Sequence, residues 1–427
     1  MYTQRYKAIP ASFYQAKRDE LAAKLAANSL LIIHSNDIAP TNADGAYAFQ
    51  QNTNFFYLTG IDQEESVLLM RVGENGERED CLLLRETNDK IAVWEGARLT
   101  QAEGMQLSGI SDVRWTNEYK ALLDEWVPQS RKLYFEVDQH LRRFTEVQTR
   151  NERMAAELKE QYPALEADSI YELISEMRLV KSEEEIEQLR EACRITGEGY
   201  LDTIKRVKAG MGEWEIEASL GYEYIRRGSR KHSFLPIVAS GANACVLHYI
   251  SNHGVCKDGD MVLFDTGAEY GNYCGDMSRV IPVNGSFTPR QREIYDAVAA
   301  VHLKAMEFMK VGVMKADYEK QVQQFMGEQL VKVGLLTQEE LDADLMSIRK
   351  YFMHGTSHPL GLDVHDVGPS NPAFAVGQVW TIEPGIYVKE EGIGYRLETD
   401  VVIREDGVED LLAFVPLHAD DVEAAMR

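Results

Sequence analysis

The sequence lacks paired cysteines, long apolar runs and an excess of basic residues, and each absence excludes a class of protein. Its five cysteines are scattered without a CxxC pair, which argues against a disulfide framework or a thiolate zinc site. No apolar run is long enough to span a bilayer, and the N-terminal segment MYTQRYKAIP has no apolar core of a signal peptide. We therefore expect a cytoplasmic protein.

The charge balance is strongly acidic. The chain has 69 acidic and 45 basic residues, so its formal net charge at pH 7 is -24. Such a surface repels both a nucleic-acid backbone and an anionic membrane. We expect neither of them as a partner, and small molecules and peptides remain as ligands.

The length of the chain, 427 residues with 44% hydrophobic, favours two domains. In residues 1–172, helical segments alternate with short apolar runs, which predicts an α/β domain. The runs that we assign to strands are LLIIH, NFFYLTG, SVLLMRV, CLLLRE and KLYFEV.

Residues 173–427 begin with helical sequence and continue with clustered strands, which predicts an α+β domain. Thr288 followed by Pro289 marks the start of a helix within it. The strands that matter for function are predicted in MVLFDTG, SRVIPV, QVWTIEPGIYV and GYRLETDVVI.

Four carboxylates interrupt these otherwise apolar strands. They are Asp265, Asp276, Glu383 and Glu398. Asp276 follows a glycine-containing stretch that can turn the chain back, so an antiparallel pairing would bring it close to Asp265. Buried carboxylates are costly unless they are paired, hydrogen-bonded or bound to a metal. If the four converge, two divalent cations would compensate their charge.

The segment HGTSHPLGLDVHD carries three histidines, His354, His358 and His365. The first two have the i, i+4 spacing of a zincin helix, but Gly355 and Pro359 disfavour a continuous helix and no glutamate stands beside a histidine. One of them could complete an acidic dinuclear site while the others donate hydrogen bonds to substrate. The alternative is that all three are loop or interface histidines.

Several motifs occur together in a fixed order. IVASGANACVLHY, LFDTGAEYGNYCGDMSR, HGTSHPLGLDVHD, TIEPGIYV and GIGYRLETDVVI follow one another between about 235 and 403. This order resembles the catalytic domain of aminopeptidase P and prolidase, the proline-specific pita-bread metallopeptidases. The N-terminal α/β domain and the junction RLVKSEEEI are also similar to two-domain members, so the resemblance covers nearly the whole chain.

The resemblance implies two divalent metal ions, most often manganese, with cobalt or zinc as substitutes. It implies Asp276 and Glu398 as bridging ligands, Asp265 on one ion, and His358 and Glu383 on the other. Glu383 is also our candidate to accept a proton from the attacking water and return it to the leaving prolyl nitrogen.

The remaining site residues also come from the resemblance. His248 and His365 match substrate-contacting histidines, His354 a second pocket histidine, and Arg396 an arginine that supports the substrate end of the site. Pro359 departs from the family, in which an aromatic residue often follows the ligand histidine. We expect this change to affect the proline pocket and not catalysis.

The function that the resemblance implies is that of an Xaa-Pro aminopeptidase, which releases the N-terminal residue from peptides with proline in second position. The nearest alternative is a prolidase, which cleaves only Xaa-Pro dipeptides. A metal-free creatinase-type hydrolase or a non-catalytic binding module on the same fold would lack several of the five ligands. The resemblance also implies a homodimer or homotetramer.

Overall fold

The computed structural model describes residues 5–427, and its chain divides into two compact units. The first comprises the described residues up to Met177, and the second comprises Arg178–Arg427. The predicted combination of an α/β part followed by an α+β part is confirmed. Within the described residues, no helix has the length and apolar character needed to cross a membrane.

The first unit is built on a six-stranded mixed sheet with the strand order β4-β3-β2-β1-β5-β6. Its strands are β1 Ser29–His34, β2 Val67–Val72, β3 Arg78–Leu84, β4 Asp112–Trp115, β5 Lys132–Phe135 and β6 Glu166–Ser169. Its helices are α1 Ala11–Lys24, α2 Thr53–Thr59, α3 Asp89–Glu95, α4 Gln101–Ser108, α5 Tyr119–Trp126, α6 Arg150–Gln161 and α7 Tyr171–Leu179, the last of which contains the division between the units. Leu30, Leu69 and Leu133 from the sheet pack with Trp126 of α5 and Met154 of α6 in one hydrophobic core.

The prediction of a strand in NFFYLTG is wrong, because this segment forms α2. The Asn52 side chain caps the helix by accepting a hydrogen bond from the Phe55 N–H at 2.8 Å. Gly60 ends the helix in the left-handed region at φ 68°. A short apolar run that is buried on all sides has no periodicity to distinguish strand from helix, so the capping residues decide.

The second unit combines long helices with several small antiparallel sheets. Its helices are α8 Glu183–Ile204, α9 Glu213–Arg226, α10 Pro289–Phe308, α11 Lys315–Lys332, α12 Gln338–Ala343 and α13 Ala419–Ala425. Its strands are β7 Ile237–Ser240, β8 Met261–Thr266, β9 Glu269–Tyr270, β10 Tyr273–Cys274, β11 Met277–Pro282, β12 Val379–Ile382, β13 Gly385–Val388, β14 Ile393–Arg396, β15 Thr399–Arg404 and β16 Gly407–Asp410. The sheets have the orders β11-β8-β7, β12-β15-β16, β13-β14 and β10-β9.

The expected antiparallel pairing of the first two acidic strands is confirmed. In β8 and β11, Asp265 lies opposite Ser278 and Thr266 lies opposite Met277. Asp276 immediately precedes β11 and therefore lies at the same end of the pair. Gly267 permits this return, because a Cβ atom there would lie 1.7 Å from the Gly275 carbonyl oxygen.

Each of the two later acidic runs forms two strands. The first run divides at the turn that follows Glu383, and the prediction of one strand in GYRLETDVVI is wrong. Pro384, which has no N–H, separates β12 from β13, and Glu383 lies at that break. The second break occurs where hydrogen bonding changes partner, since the Leu397 N–H donates to the Pro384 carbonyl and the Glu398 N–H donates to the Ser278 carbonyl. The backbone thus takes Glu398 out of its ladder toward β11, and it takes Glu383 toward the Thr356 carbonyl.

Candidate active site

His358 presents one ring nitrogen to a group of carboxylates. Its Nδ1 lies 3.0 Å from the Pro359 carbonyl oxygen, which can only accept, so Nδ1 carries the proton and Nε2 is left with its lone pair. Nε2 lies 3.6 Å from an Asp276 oxygen and 3.7 Å from a Glu383 oxygen. The Thr381 hydroxyl accepts the His358 backbone N–H at 3.2 Å, which fixes the backbone that carries the ring. With Nδ1 protonated and Nε2 unprotonated, His358 is in the tautomer that can bind a metal ion through Nε2.

Asp276 and Glu398 form the most deeply buried part of the acidic cluster. Asp276, His358 and Glu398 each offer a ligand atom, and these atoms all lie within 4.8 Å of one another. Burial raises the pKa of both carboxyls well above their ordinary values, and neighbouring carboxylates, Asp265 among them, raise it further. None of the described residues 5–427 forms a hydrogen bond to one of the two Asp276 oxygens. A cation would supply both the missing partner and the missing positive charge.

Glu383 lies between two histidines. One carboxylate oxygen is 3.7 Å from His358 Nε2, and the other is 3.8 Å from His354 Nδ1. Its backbone N–H donates to the Thr356 carbonyl at 2.8 Å, which links the break after β12 to the histidine loop. Glu383 therefore reaches the metal cluster on one side and the pocket histidine on the other.

Arg396 ties the remaining acids together from a buried position. Its guanidinium donates to Asp265 at 2.6 Å, to the Ser278 hydroxyl at 2.9 Å and to the Tyr387 hydroxyl at 2.8 Å. Ser278 in turn donates to Glu398 at 2.8 Å. Arg396 thus offsets part of the negative charge through direct and relayed hydrogen bonds.

His354 joins this network through Tyr387. Its Nδ1 lies 2.7 Å from the Gly355 carbonyl oxygen, and its Nε2 lies 2.9 Å from the Tyr387 hydroxyl, which donates to it. Burial is the main cause that lowers the pKa of His354 to about 3, and the positive charge of Arg396 is the second. The ring is therefore neutral near pH 7. Tyr387 is buried, and its hydroxyl links His354 to Arg396.

The other two predicted histidines lie at the exposed side of this cluster. The His365 ring packs edge-on against His358, with ring centroids 4.5 Å apart. Asp366 fixes this part of the loop by accepting hydrogen bonds from Arg178 and Lys181. His248 is exposed, and it is close enough to His354 to interact with it electrostatically.

Sequence reasoning missed Ser278, Tyr387 and Asp400. Asp400 accepts the Asp276 backbone N–H at 2.9 Å and the Cys193 thiol at 3.1 Å, and burial raises its pKa to about 8. An acid within the apolar run TDVVI was a usable signal. Ser278 offered none, since serine is common in strands and its importance depends on the strand that crosses it.

The donor set fits divalent cations. Four carboxylates and an imidazole nitrogen are oxygen and borderline nitrogen ligands of the kind that manganese or zinc accept, and Arg396 is the cation that hydrogen-bonds directly to one of them. The residues that could hold metal are Asp265, Asp276, His358, Glu383 and Glu398.

Comparison with known proteins agrees with this chemistry. Residues 187–405 match metallopeptidase family M24, and residues 14–134 match the N-terminal domain of aminopeptidase P. The Xaa-Pro aminopeptidases of Haemophilus influenzae and Escherichia coli are 32% and 33% identical, over 98% and 97% of this chain and the same shares of theirs. The solved structure of zinc-substituted E. coli aminopeptidase P in complex with product matches with a TM-score of 0.91 at 32% identity, covering 98% of this chain and 99% of that one. The chain therefore belongs to metallopeptidase family M24, in the group of the Xaa-Pro aminopeptidases.

Proposed function

We propose that this chain hydrolyses the bond between the first residue of a peptide and a proline in second position. The proposed cofactors are two divalent cations, with manganese as the first choice. The observation that carries the proposal is the buried cluster of Asp276, His358 and Glu398, whose raised carboxyl pKa values indicate a site that needs positive charge. Full-length similarity to Xaa-Pro aminopeptidases supports the substrate class.

Asp265, Asp276, His358, Glu383 and Glu398 would hold the two ions. When bound, such ions lower the pKa of water and polarise a carbonyl group, which supplies the nucleophile for hydrolysis. Asp276 and Glu398 are the most buried acids among these five residues, and they are the proposed shared ligands.

Glu383 is the proposed proton carrier. Its carboxylate lies between His354 and His358, so it can accept a proton from the attacking water and pass it to the prolyl nitrogen that leaves. Since His354 is held neutral, it does not neutralise Glu383 by forming an ion pair. The acid therefore stays available to move the proton.

His248 and His365 are the proposed substrate contacts. Both are exposed while the metal cluster is buried, so they can donate to the substrate carbonyl or to the developing oxyanion from the open side. A bond to proline has no N–H for a general peptidase to bind, which favours a dedicated pocket. Pro359, beside the proposed ligand His358, is expected to shape that pocket.

One competition assay tests the proposal. Manganese-loaded protein is incubated with equal amounts of an Xaa-Pro dipeptide, an Xaa-Pro-Yaa-Zaa tetrapeptide and an Xaa-Ala-Yaa-Zaa control, and the products are followed by mass spectrometry. Release of Xaa from the proline tetrapeptide but not from the alanine control is the expected result. Cleavage confined to the dipeptide would indicate a prolidase instead, and no cleavage by metal-loaded protein would contradict a peptidase.

The matched variants are Glu383→Ala and Glu390→Ala. Glu390 is exposed and lies seven residues along the same segment, so it controls for loss of an acid without loss of the proposed proton carrier.

We also propose a cytoplasmic protein that forms a homodimer or homotetramer. Light scattering after size-exclusion chromatography measures the assembly.

A further inference from the structure

Glu213, the first residue of α9, is a fully buried carboxylate, and within residues 5–427 its side-chain hydrogen-bond donors all come from one segment, residues 240–254. One oxygen accepts the backbone N–H and the hydroxyl of Ser240, both at 2.7 Å, and the Asn243 amide at 3.0 Å. The other accepts the Tyr249 hydroxyl at 2.8 Å and the Gly254 N–H at 2.6 Å. A single side chain thus holds the segment at its start, middle and end.

The bonding pattern requires a carboxylate. Burial alone would raise the pKa of Glu213, but the hydrogen bonds from Asn243, Ser240 and Gly254 outweigh it and lower the pKa below its ordinary value. Both oxygens face N–H donors, so the amide group of a glutamine would direct its own hydrogens at one set of them. Glutamate cannot be replaced by its neutral isostere without losing part of the pattern.

The segment that Glu213 holds carries His248. The donors Asn243 and Tyr249 come before and directly after this histidine. His248 itself is exposed, so its own side chain does little to fix its place. Its position is set by the backbone between these two anchors.

Residues 240–254 also pack against β14, the strand that ends at Arg396. The turn Gly241–Cys245 approaches so closely that a Cβ atom on Gly394 would lie 2.1 Å from the Ala244 carbonyl oxygen. The Cys245 thiol donates to the Ile393 carbonyl at 3.4 Å. The segment is therefore held between the start of α9 and a strand of the metal site.

We propose that Glu213 is a positioning residue for the peptidase reaction: it fixes His248 at the substrate side of the metal site by clamping residues 240–254. This inference rests on the proposed function, in which His248 contacts the substrate. Glu213 touches neither metal ligands nor substrate and acts only through the segment that it holds.

The test compares Glu213→Gln with Glu223→Gln in the manganese-loaded full chain. Glu223 is also a fully buried acid of α9, but its partners are Arg206, Arg226 and Arg227 and not the segment. We expect Glu213→Gln to lower kcat/KM on an Xaa-Pro tetrapeptide by about 10- to 100-fold, the effect of misplacing a substrate contact. Glu213→Gln should bind as much manganese as wild type. Glu223→Gln should have wild-type kcat/KM at temperatures below its melting temperature.

A double-mutant cycle separates positioning from general damage. In a His248→Ala background, Glu213→Gln should have no further effect on kcat/KM, because the residue that it positions is already gone. Equal losses in both backgrounds, or full activity of Glu213→Gln, would overturn the inference. If Glu213→Gln does not fold, Asn243→Ala removes one anchor and should show the same dependence on His248.

The outcomes also separate this inference from the proposed function. Full activity of His248→Ala together with an inactive Glu383→Ala would overturn the role of the Glu213 clamp and leave the peptidase assignment intact. Full activity of metal-loaded Glu383→Ala would contradict the proposed mechanism itself.

Discussion

Replacing Ser278 with alanine should weaken metal binding although serine is not among the proposed ligands. The hydroxyl of this fully buried residue donates to Glu398 at 2.8 Å and accepts from Arg396 at 2.9 Å. The variant removes one oxygen atom and disconnects the arginine from the acid. Arg396 keeps its bonds to Asp265 and Tyr387, so its side chain should stay in place.

The size of the effect follows from the two lost hydrogen bonds. Each involves a charged partner, and such bonds contribute about 1.5–3 kcal/mol. A water molecule in the space left by the hydroxyl would restore part of this free energy, so the net loss should equal about one such hydrogen bond. At about 1.4 kcal/mol per tenfold, manganese affinity and kcat/KM should fall by about 10- to 100-fold, as for other partners of metal ligands.

The assay is a manganese titration with activity and bound metal measured on the same samples. Ser229→Ala is the control, because Ser229 is equally buried and makes two hydrogen bonds, to Lys231 and Glu269, without contacting a proposed ligand. Both variants should lose stability, but only Ser278→Ala should need more manganese. Equal manganese requirements for Ser278→Ala and wild type would refute the reasoning.

Three further predictions concern catalysis, the metal and stability. Glu383→Ala and His358→Ala should each abolish release of the N-terminal residue, whereas His354→Ala should only impair it, and wild-type rates in metal-loaded Glu383→Ala would contradict the assignment. At pH 8, manganese at about 100 times its Kd should add about 2.7 kcal/mol, or roughly 3–5 °C of melting temperature in a fluorescence melting assay. Protons compete with metal for carboxyls whose pKa values are raised, so the same manganese concentration should give a smaller shift at pH 6; equal shifts at the two pH values would argue against that competition. His302 is buried, and neither of its ring nitrogens has a hydrogen-bond partner in the described part of the chain, so His302→Leu should raise the free energy of unfolding by about 1–3 kcal/mol in urea titrations. Burial lowers the pKa of His302 to about 3, so as pH falls below about 6.5 this histidine binds a proton in the unfolded state but not in the folded state. The gain in unfolding free energy of His302→Leu over wild type should therefore grow by about 2 kcal/mol from pH 7.5 to pH 5. A gain that does not change with pH would contradict this.

Local sequence signals predicted much of the fold. Thr288 and Pro289 were expected to start a helix, and Thr288 caps α10 with Pro289 at its first position. The antiparallel pairing of the strand that bears Asp265 with the strand that follows Asp276 was also predicted correctly. Predictions failed where a local pattern was ambiguous, as in α2, or where a strand changes its partner, as before Glu398.

The site shows the same division. The four acids Asp265, Asp276, Glu383 and Glu398 and the three histidines of residues 354–366 could be selected from the sequence, because charged residues in apolar strands and several histidines in one short loop are unusual in any fold. His248 and Arg396 were selected only through the family resemblance. Ser278, Tyr387 and Glu213 could not, since each looks ordinary in sequence and gains its importance from residues that are distant in the chain.

The sequence by itself determined the chemistry of this protein: an acidic surface, two domains and an ordered set of carboxylates and histidines that fits divalent metal. Tertiary structure decided how that chemistry is held. Whether a carboxyl is charged depends on how many carboxylates and donors surround it and how little water reaches it, and whether an exposed histidine is placed depends on anchors elsewhere. These are properties of contacts between distant segments, so no local pattern encodes them.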